Sequence, residues 1–182
     1  MDHIAIKMNE KDFERFKKAL GQRLPKWEGK PDIHGHFNSP RGHAVGLWGE
    51  LGLLKWFEAN DLPARWAGED DDAMVDIEIC QKIGVETKAQ QPRNWTPELA
   101  TTVQKRSYEN WLKKGNVRYV VWTTCYDPLS KGIQPVLIRG WNTVQEIGDS
   151  GLQKIRGTLQ YRTYPKYHNP SGLLRWLKSD CM

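Results

Sequence analysis

The sequence predicts an α/β or α+β domain with a central mixed β-sheet flanked by helices. Helical and strand-like patterns follow one another in the order helix, strand, strand, helix, strand, strand, which is typical of this class. Hydrophobic residues make up 38% of the chain and charged residues 27%, as expected for a globular protein. No repeat, linker or low-complexity segment divides the 182 residues, so they are most simply one domain.

The first 43 residues are predicted to form a helix and then a long loop. Asn9 can cap the helix EKDFERFKKALGQRL, whose acidic residues come early and whose lysines come late, as the helix dipole prefers. Residues 22–43 are rich in glycine, proline and histidine, and we expect them to be a loop. Three histidines lie in this loop at spacings that match no metal site: His34, His36 and His43.

A strongly apolar second helix is predicted over residues 44–60, AVGLWGELGLLKWFEAN. Four residues form its buried stripe: Leu47, Leu51, Leu54 and Phe57. Glu50 lies beside this stripe rather than opposite it, because it follows one member of the stripe by three residues and precedes another by four. The acidic run GEDDD at 68–72 is predicted to be a solvated loop.

The stretch MVDIEICQKIGVETKAQQ, residues 74–91, is predicted to form a β-hairpin with charged side chains on one face. The short segment CQKIG joins two strand-like runs, and side chains alternate faces along a strand. Asp76 and Glu78 therefore share a face in the first run, and Glu86 and Lys88 share a face in the second. We expect the hairpin to leave the carboxylates of Asp76 and Glu86 close together.

The chain after the hairpin contains a third predicted helix over residues 94–116, NWTPELATTVQKRSYENWLKKGN. Thr96 can cap this helix and Gly115 can end it. Five further elements are predicted: strands at 117–124, 133–141 and 158–164, a short helix at 143–148 and a terminal helix at 170–180.

Two neighbouring acids and a lysine indicate the chemistry of phosphodiester hydrolysis. Two carboxylates side by side raise the pKa of one of them unless a cation lies between them. Mg²⁺ is the natural occupant because it takes oxygen ligands and keeps several waters, and we expect Mn²⁺ to substitute for it. Lys88 points the same way as Glu86, so its amine can position the attacking water and stabilise charge on a phosphate.

The spacing of these residues resembles the D…ExK signature of the PD-(D/E)XK nuclease superfamily, which has the restriction-endonuclease-like fold. Asp76 matches the aspartate, and Glu86-Thr87-Lys88 matches ExK. The family often places a further glutamate on the helix before the hairpin, where Glu50 stands. Some members, including the RecB and phage lambda exonuclease-like groups, also carry a QxxxY motif on the helix after the lysine strand.

The segment QKRSY matches that last motif, and we expect Gln104 and Tyr108 to share one helical face. The resemblance covers roughly residues 44–124, whereas residues 1–43 and 125–182 match nothing in the family. The proline that usually precedes the aspartate is absent, and Glu78 is an extra acid on the same face. Three cysteines are too few to hold the iron–sulfur cluster of some QxxxY relatives.

The resemblance implies that residues 1–182 form a single metal-dependent nuclease domain with a restriction-endonuclease-like core, acting on DNA. Asp76 and Glu86 would hold one or two Mg²⁺ ions, assisted by the carbonyl of Thr87. Glu50 would contribute directly or through water. Lys88 would orient the attacking water. Two further residues would shape the site: Gln104 and Tyr108.

The formal net charge of +5 favours an acidic partner such as nucleic acid. No apolar run approaches the roughly 20 residues needed to span a bilayer, and the N-terminal stretch does not resemble a secretory signal. The three cysteines are far apart and indicate no disulfide framework. We therefore predict a cytoplasmic protein without disulfides or membrane association.

Three alternatives stay open. The first is a dimeric restriction-type or junction-resolving endonuclease, which would act as a homodimer. The second is a non-catalytic module that binds nucleic acid without a metal. The third is a metal-free structural protein. RNA also stays open as a substrate in place of DNA.

Overall fold

The computed structural model describes residues 3–27, 40–69, 75–164 and 166–182. These residues form an α+β fold in which helices flank a mixed six-stranded sheet, and a second sheet has three strands. The predicted fold class is therefore confirmed. None of the helices in the described parts of the chain is both long and apolar enough to cross a lipid bilayer.

The strands are β1 (Ile4–Ile6), β2 (Ala64–Trp66), β3 (Ile77–Ile79), β4 (Ile83–Gln90), β5 (Thr102–Gln104), β6 (Val117–Thr124), β7 (Val136–Thr143), β8 (Leu152–Ile155) and β9 (Thr158–Arg162). The helices are α1 (Glu10–Trp27), α2 (Pro40–Glu58), α3 (Lys105–Lys114), α4 (Pro128–Lys131), α5 (Val144–Asp149) and α6 (Pro170–Cys181), and a 3₁₀ turn covers Pro92–Asn94.

The large sheet has the strand order β1-β7-β6-β4-β3-β2, and the small sheet has the order β5-β9-β8. In the large sheet β4 and β6 are parallel, whereas the other neighbouring pairs are antiparallel. Parallel neighbours need a long crossover connection. That connection contains β5 and α3, and it brings α3 onto one face of the sheet beside β4 and β6.

Two hydrophobic cores lie on opposite faces of the large sheet. Tyr119 and Val121 of β6 belong to the core that contains α1, α2 and α6. Val120 and Trp122 belong to the other core, which contains α3 and α5. Because side chains alternate along a strand, this division assigns each position of β4 to one face or the other.

Helix α3 begins at Lys105, whereas the sequence analysis predicted a helix over residues 94–116. Residues 102–104 instead form β5, which pairs with β9, and Thr101 has a left-handed φ of 56° that a helix does not allow. Thr96 closes a single turn rather than capping the helix. The β-branched run of residues 101–103 favours a strand once the distant β9 is available as a partner, which local sequence does not reveal.

Helices α1 and α2 extend into both ends of the predicted loop 22–43. Helix α2 begins at Pro40, in agreement with the tolerance of the first helical turn for proline, and His43 lies within it. Three parts of the predicted loops lie outside the described residues: His34, His36 and the acidic residues 70–72. The other predicted elements are present within a few residues of their expected ends, whereas β1, β2, β5, β8 and α4 were not predicted.

Cys80 and Cys181 form a disulfide, although the sequence analysis predicted none. The two residues are 101 positions apart in the sequence, and their Cα atoms lie 5.8 Å apart because α6 returns to the turn between β3 and β4. Sequence spacing alone cannot reveal such a contact. Disulfides are rare in cytosolic proteins, so the cysteines no longer support a cytoplasmic location, which stays a prediction.

Candidate active site

A tight hairpin joins β3 to β4 and carries the predicted acids. Ile77 pairs with Val85 in its antiparallel register, and both side chains are buried in the core on the α2 side of the sheet. Because neighbouring positions on a strand face opposite ways, residues 76 and 86 share the other face and lie opposite each other. The structure thus brings Asp76 and Glu86 together on the α3 side of the sheet.

The Asp76 carboxylate is held in place by the neighbouring strand. Its Oδ2 atom accepts a hydrogen bond of 2.8 Å from the backbone N–H of Thr87. This bond fixes the carboxylate beside the backbone that links Glu86 to Lys88. The Thr87 hydroxyl is buried and has no hydrogen-bond partner among the described residues.

Glu86 is a buried carboxylate with a strongly perturbed pKa. Burial, followed by the negative charge of Asp76, raises the pKa of Glu86 from 4.5 to about 7. Three neighbours act in the opposite direction: the charges of Lys88 and Lys114 and a hydrogen bond from Trp111. The Lys114 Nζ atom lies 3.5 Å from Glu86 Oε1. Burial and the charge of Asp76 together outweigh these three contributions, so the charged form of Glu86 is disfavoured.

Lys88 is half-buried and lies beside the same carboxylate. Its Nζ atom is 5.0 Å from the centre of the Trp111 ring, in a cation–π contact. Its positive charge lowers the pKa of Glu86, as expected for two side chains that share a face of β4. The amine therefore acts electrostatically on Glu86 from its place beside Trp111.

Glu50 lies on α2 within electrostatic range of Asp76 and already has two partners. Its Oε1 accepts a 2.9 Å hydrogen bond from Arg23 Nη1, and its Oε2 accepts one of 3.0 Å from Trp66 Nε1. Burial raises the pKa of Glu50, and the charge of Asp76 raises it further, whereas Arg23 and Trp66 lower it. Asp76 thus acts electrostatically on both Glu50 and Glu86.

Helix α2 packs directly on β4 because Gly49 has no side chain. A Cβ atom at this position would lie 2.5 Å from the Cβ of Ala89 and 2.7 Å from Thr123 Oγ1. Real side chains cannot approach so closely. The small residue therefore brings its neighbour on the helix, Glu50, next to the strand that carries Glu86.

Gln104 and Tyr108 do not share a helical face, in contrast to the prediction. Gln104 lies on β5 opposite Gln160, one residue before α3 begins. The Tyr108 ring contacts Tyr161 of β9, with ring centres 4.4 Å apart. The helix was predicted to start too early, so the assumed spacing of one helical turn does not apply to this pair.

Four residues at the site were not predicted from the sequence. Trp111 and Lys114 act on Glu86 from α3, whereas Arg23 of α1 and Trp66 of β2 donate hydrogen bonds to Glu50. The separation of three residues between Trp111 and Lys114 is a signal that they share a helical face, but no known motif contains them. Nothing in the sequence around Arg23 indicates its partner.

Glu78, the extra acid, has a cation of its own. Its Oε2 accepts a 3.0 Å hydrogen bond from Arg65 Nη2 on β2. The residue opposite Glu78 in the hairpin is Gly84 rather than another acid. The environment of Glu78 therefore differs from that of Asp76, which lies opposite Glu86.

Asp76 and Glu86 are a suitable donor set for Mg²⁺. Within the described residues no group of three or more His, Cys, Asp or Glu side chains is arranged to hold a metal ion. Mg²⁺, however, is commonly held by one or two carboxylates and takes its other ligands from water and substrate phosphates. A divalent cation beside Glu86 would favour its charged form, which burial and the charge of Asp76 disfavour.

Comparison with models of known protein families gives no match, and no curated protein matches the sequence. The resemblance to PD-(D/E)XK nucleases therefore depends on the residues of the site alone.

Proposed function

We propose that this chain is a metal-dependent nuclease that hydrolyses phosphodiester bonds in DNA. The observation that supports the proposal is the convergence of two carboxylates and an amine, from Asp76, Glu86 and Lys88, on one face of a hairpin. A salt bridge on an exposed sheet face would not require a buried carboxylate, Glu86, beside the half-buried Asp76. Burial of like charges costs free energy, and such arrangements are concentrated at functional sites.

Asp76 and Glu86 would hold one Mg²⁺ or Mn²⁺ ion, with the Thr87 carbonyl beside them. When bound, the ion would act as a Lewis acid that stabilises negative charge on the phosphate oxygens. Lys88 would donate a hydrogen bond to the attacking water and orient it in line with phosphorus. The water oxygen bonds to phosphorus and loses a proton to solvent, while the bond to the leaving oxygen breaks and that oxygen takes up a proton from solvent to become a hydroxyl. The family resemblance implies a 5′-phosphate product.

The Arg23–Glu50 ion pair favours one ion rather than two. Both oxygens of Glu50 accept hydrogen bonds from buried or half-buried donors, so its charge is already compensated. A second divalent ion at Glu50 would have to displace Arg23 or be repelled by it. Glu50 then acts as a neighbour that fixes the charge balance around Asp76.

Positive charge on the chain supports nucleic acid as the substrate. The net charge is +5, and the last turn of α3 carries Lys113 and Lys114, of which Lys114 lies 3.5 Å from Glu86. Such cations neutralise phosphates in a way that does not depend on base sequence. DNA is the proposed substrate on the family resemblance. RNA, and a homodimer that cuts two strands, are tested by the same assay.

The test is a cleavage assay with linear, closed circular, single-stranded and branched DNA and single-stranded RNA, each with Mg²⁺, Mn²⁺ or EDTA. We expect cleavage with either ion and none in EDTA. Lys88→Ala should abolish cleavage and keep DNA binding, whereas Lys82→Ala, at an exposed position of the same hairpin, should keep both cleavage and binding. Binding without cleavage of any substrate by the unchanged protein would refute the nuclease proposal and favour a binding module.

A further inference from the structure

A single indole contacts both charged residues of the ExK motif. Lys88 Nζ lies 5.0 Å from the centre of the Trp111 ring, and hydrogen bonding by the same indole is among the causes that lower the pKa of Glu86. The edge and the face of one rigid side chain thus hold an anion and a cation that are two residues apart on β4. An indole face attracts a cation more strongly than the other aromatic rings do.

The position of Trp111 is itself fixed by its surroundings. The residue is 3% exposed and packs with Val120 and Trp122 in the core on the α3 side of the sheet. Its carbonyl accepts a 3.1 Å hydrogen bond from Gly115, whose left-handed φ of 74° ends the helix. The indole therefore cannot rotate or shift without disturbing both the core and the end of α3.

We propose that Trp111 is the positioning residue of the site and sets the separation and orientation of the Glu86 carboxylate and the Lys88 amine. This inference depends on the proposed nuclease function. A free lysine side chain samples many rotamers, and the ring face selects those that keep the amine of Lys88 beside Glu86. A carboxylate that binds a metal needs a comparable partner to fix its orientation.

A tryptophan that only filled the core would act through its volume. The proposed role depends instead on two separable properties of the side chain. The ring face is kept in Trp111→Phe and lost in Trp111→Leu, whereas the N–H donor is lost in both. Comparison of the two variants therefore separates positioning from packing.

Lysine NMR tests the ring contact without reference to activity. In protein labelled with ¹³C-lysine, Lys88→Arg assigns the ε-methylene signal of Lys88 by removing it. We expect this signal to be displaced upfield in the wild-type protein by the ring current of Trp111. The displacement should persist, reduced, in Trp111→Phe and disappear in Trp111→Leu. Since Trp111→Leu can fail to fold, the wild-type spectrum and Trp111→Phe are sufficient for the test.

Kinetics test the consequence for the reaction. We expect Trp111→Phe to lower kcat by roughly 10- to 100-fold and to weaken Mn²⁺ binding measured by calorimetry, because it loses the hydrogen bond that orients Glu86. The KM for DNA should be unchanged, since a buried indole does not contact the substrate. Trp176→Phe is the matched control, because Trp176 lies on α6 and is 57% exposed. This substitution should leave kcat, KM and Mn²⁺ binding unchanged.

The outcomes separate this inference from the proposed function. An undisplaced Lys88 signal in the wild-type protein, or a rise in KM with kcat unchanged in Trp111→Phe, would overturn the positioning role even if the protein cuts DNA. A wild-type protein that cuts no DNA would overturn the nuclease function and the role of Trp111 in catalysis together. The NMR signal would in that case still report whether Trp111 holds Lys88.

Discussion

Replacement of Glu86 by glutamine is expected to stabilise the metal-free protein at alkaline pH. The carboxyl group of Glu86 is buried beside Asp76, and its pKa is raised from 4.5 to about 7 in the folded protein. The unfolded chain releases this proton near the ordinary pKa, so the folded state binds more protons between these two pH values. Stability is therefore lost as the pH rises from 4.5 to 7, and the loss stays constant above that range.

A pKa difference of this size corresponds to about 3 kcal/mol of unfolding free energy. Glutamine keeps an oxygen that can accept the Trp111 hydrogen bond but loses the ion pair with Lys114. That partly exposed pair contributes at most about 1 kcal/mol, and its attraction is already included in the pKa of about 7. We therefore expect Glu86→Gln to be more stable than the wild type by about 2–3 kcal/mol at pH values near 8.

Urea unfolding in EDTA, followed by circular dichroism at about pH 4.5 and about pH 8, measures this difference. The gain should be small at the lower pH, because the wild-type carboxyl is then protonated in the folded state. Glu78→Gln is the matched control, since the Glu78 carboxylate is paired with Arg65 and should give no gain at alkaline pH. If Glu86→Gln is destabilised by the same amount at both pH values, the reasoning about buried like charges is wrong.

Three further predictions concern other parts of the fold. Replacement of both Cys80 and Cys181 by serine should lower the unfolding free energy by roughly 2–5 kcal/mol in urea, because their disulfide closes a long loop, and an unchanged midpoint would contradict the cross-link. Arg23→Met should lower the unfolding free energy by about 3 kcal/mol in the same assay, because it leaves Glu50 buried without its cation. A variant as stable as the wild type would show that the ion pair is not formed. Tyr108→Phe should cleave DNA at the wild-type rate, because its ring faces the small sheet rather than the acid pair, and a tenfold loss of kcat would restore the QxxxY prediction.

The hairpin and its acids could be predicted because their information is local. Alternation of apolar and charged residues assigns Asp76 and Glu86 to one face, and the short turn requires antiparallel pairing. Glu50 could be placed beside the buried stripe of its helix by the same kind of argument. These predictions needed only spacing and side-chain direction.

The other features of the site depend on contacts between distant segments. Arg23 reaches Glu50 only because α1 packs on α2, and β5 forms only because β9 pairs with it. Trp111 and Lys114 lie on α3, and the start of this helix was predicted too early from local sequence. Local sequence patterns do not reveal such contacts. The partners of Glu50 and Glu86 were therefore not predicted, and Gln104 and Tyr108 were wrongly placed on one helical face, for the same physical reason.

Calorimetric titration of Mn²⁺ into the metal-free protein at about pH 8 tests the acid pair most directly, since Glu86 is then largely ionised. The structure leads us to expect one bound ion per chain in the wild type, no binding in Asp76→Asn, and normal binding in Glu78→Gln. Failure of the wild type to bind Mn²⁺, or equal binding by Asp76→Asn, would contradict a metal site at Asp76 and Glu86.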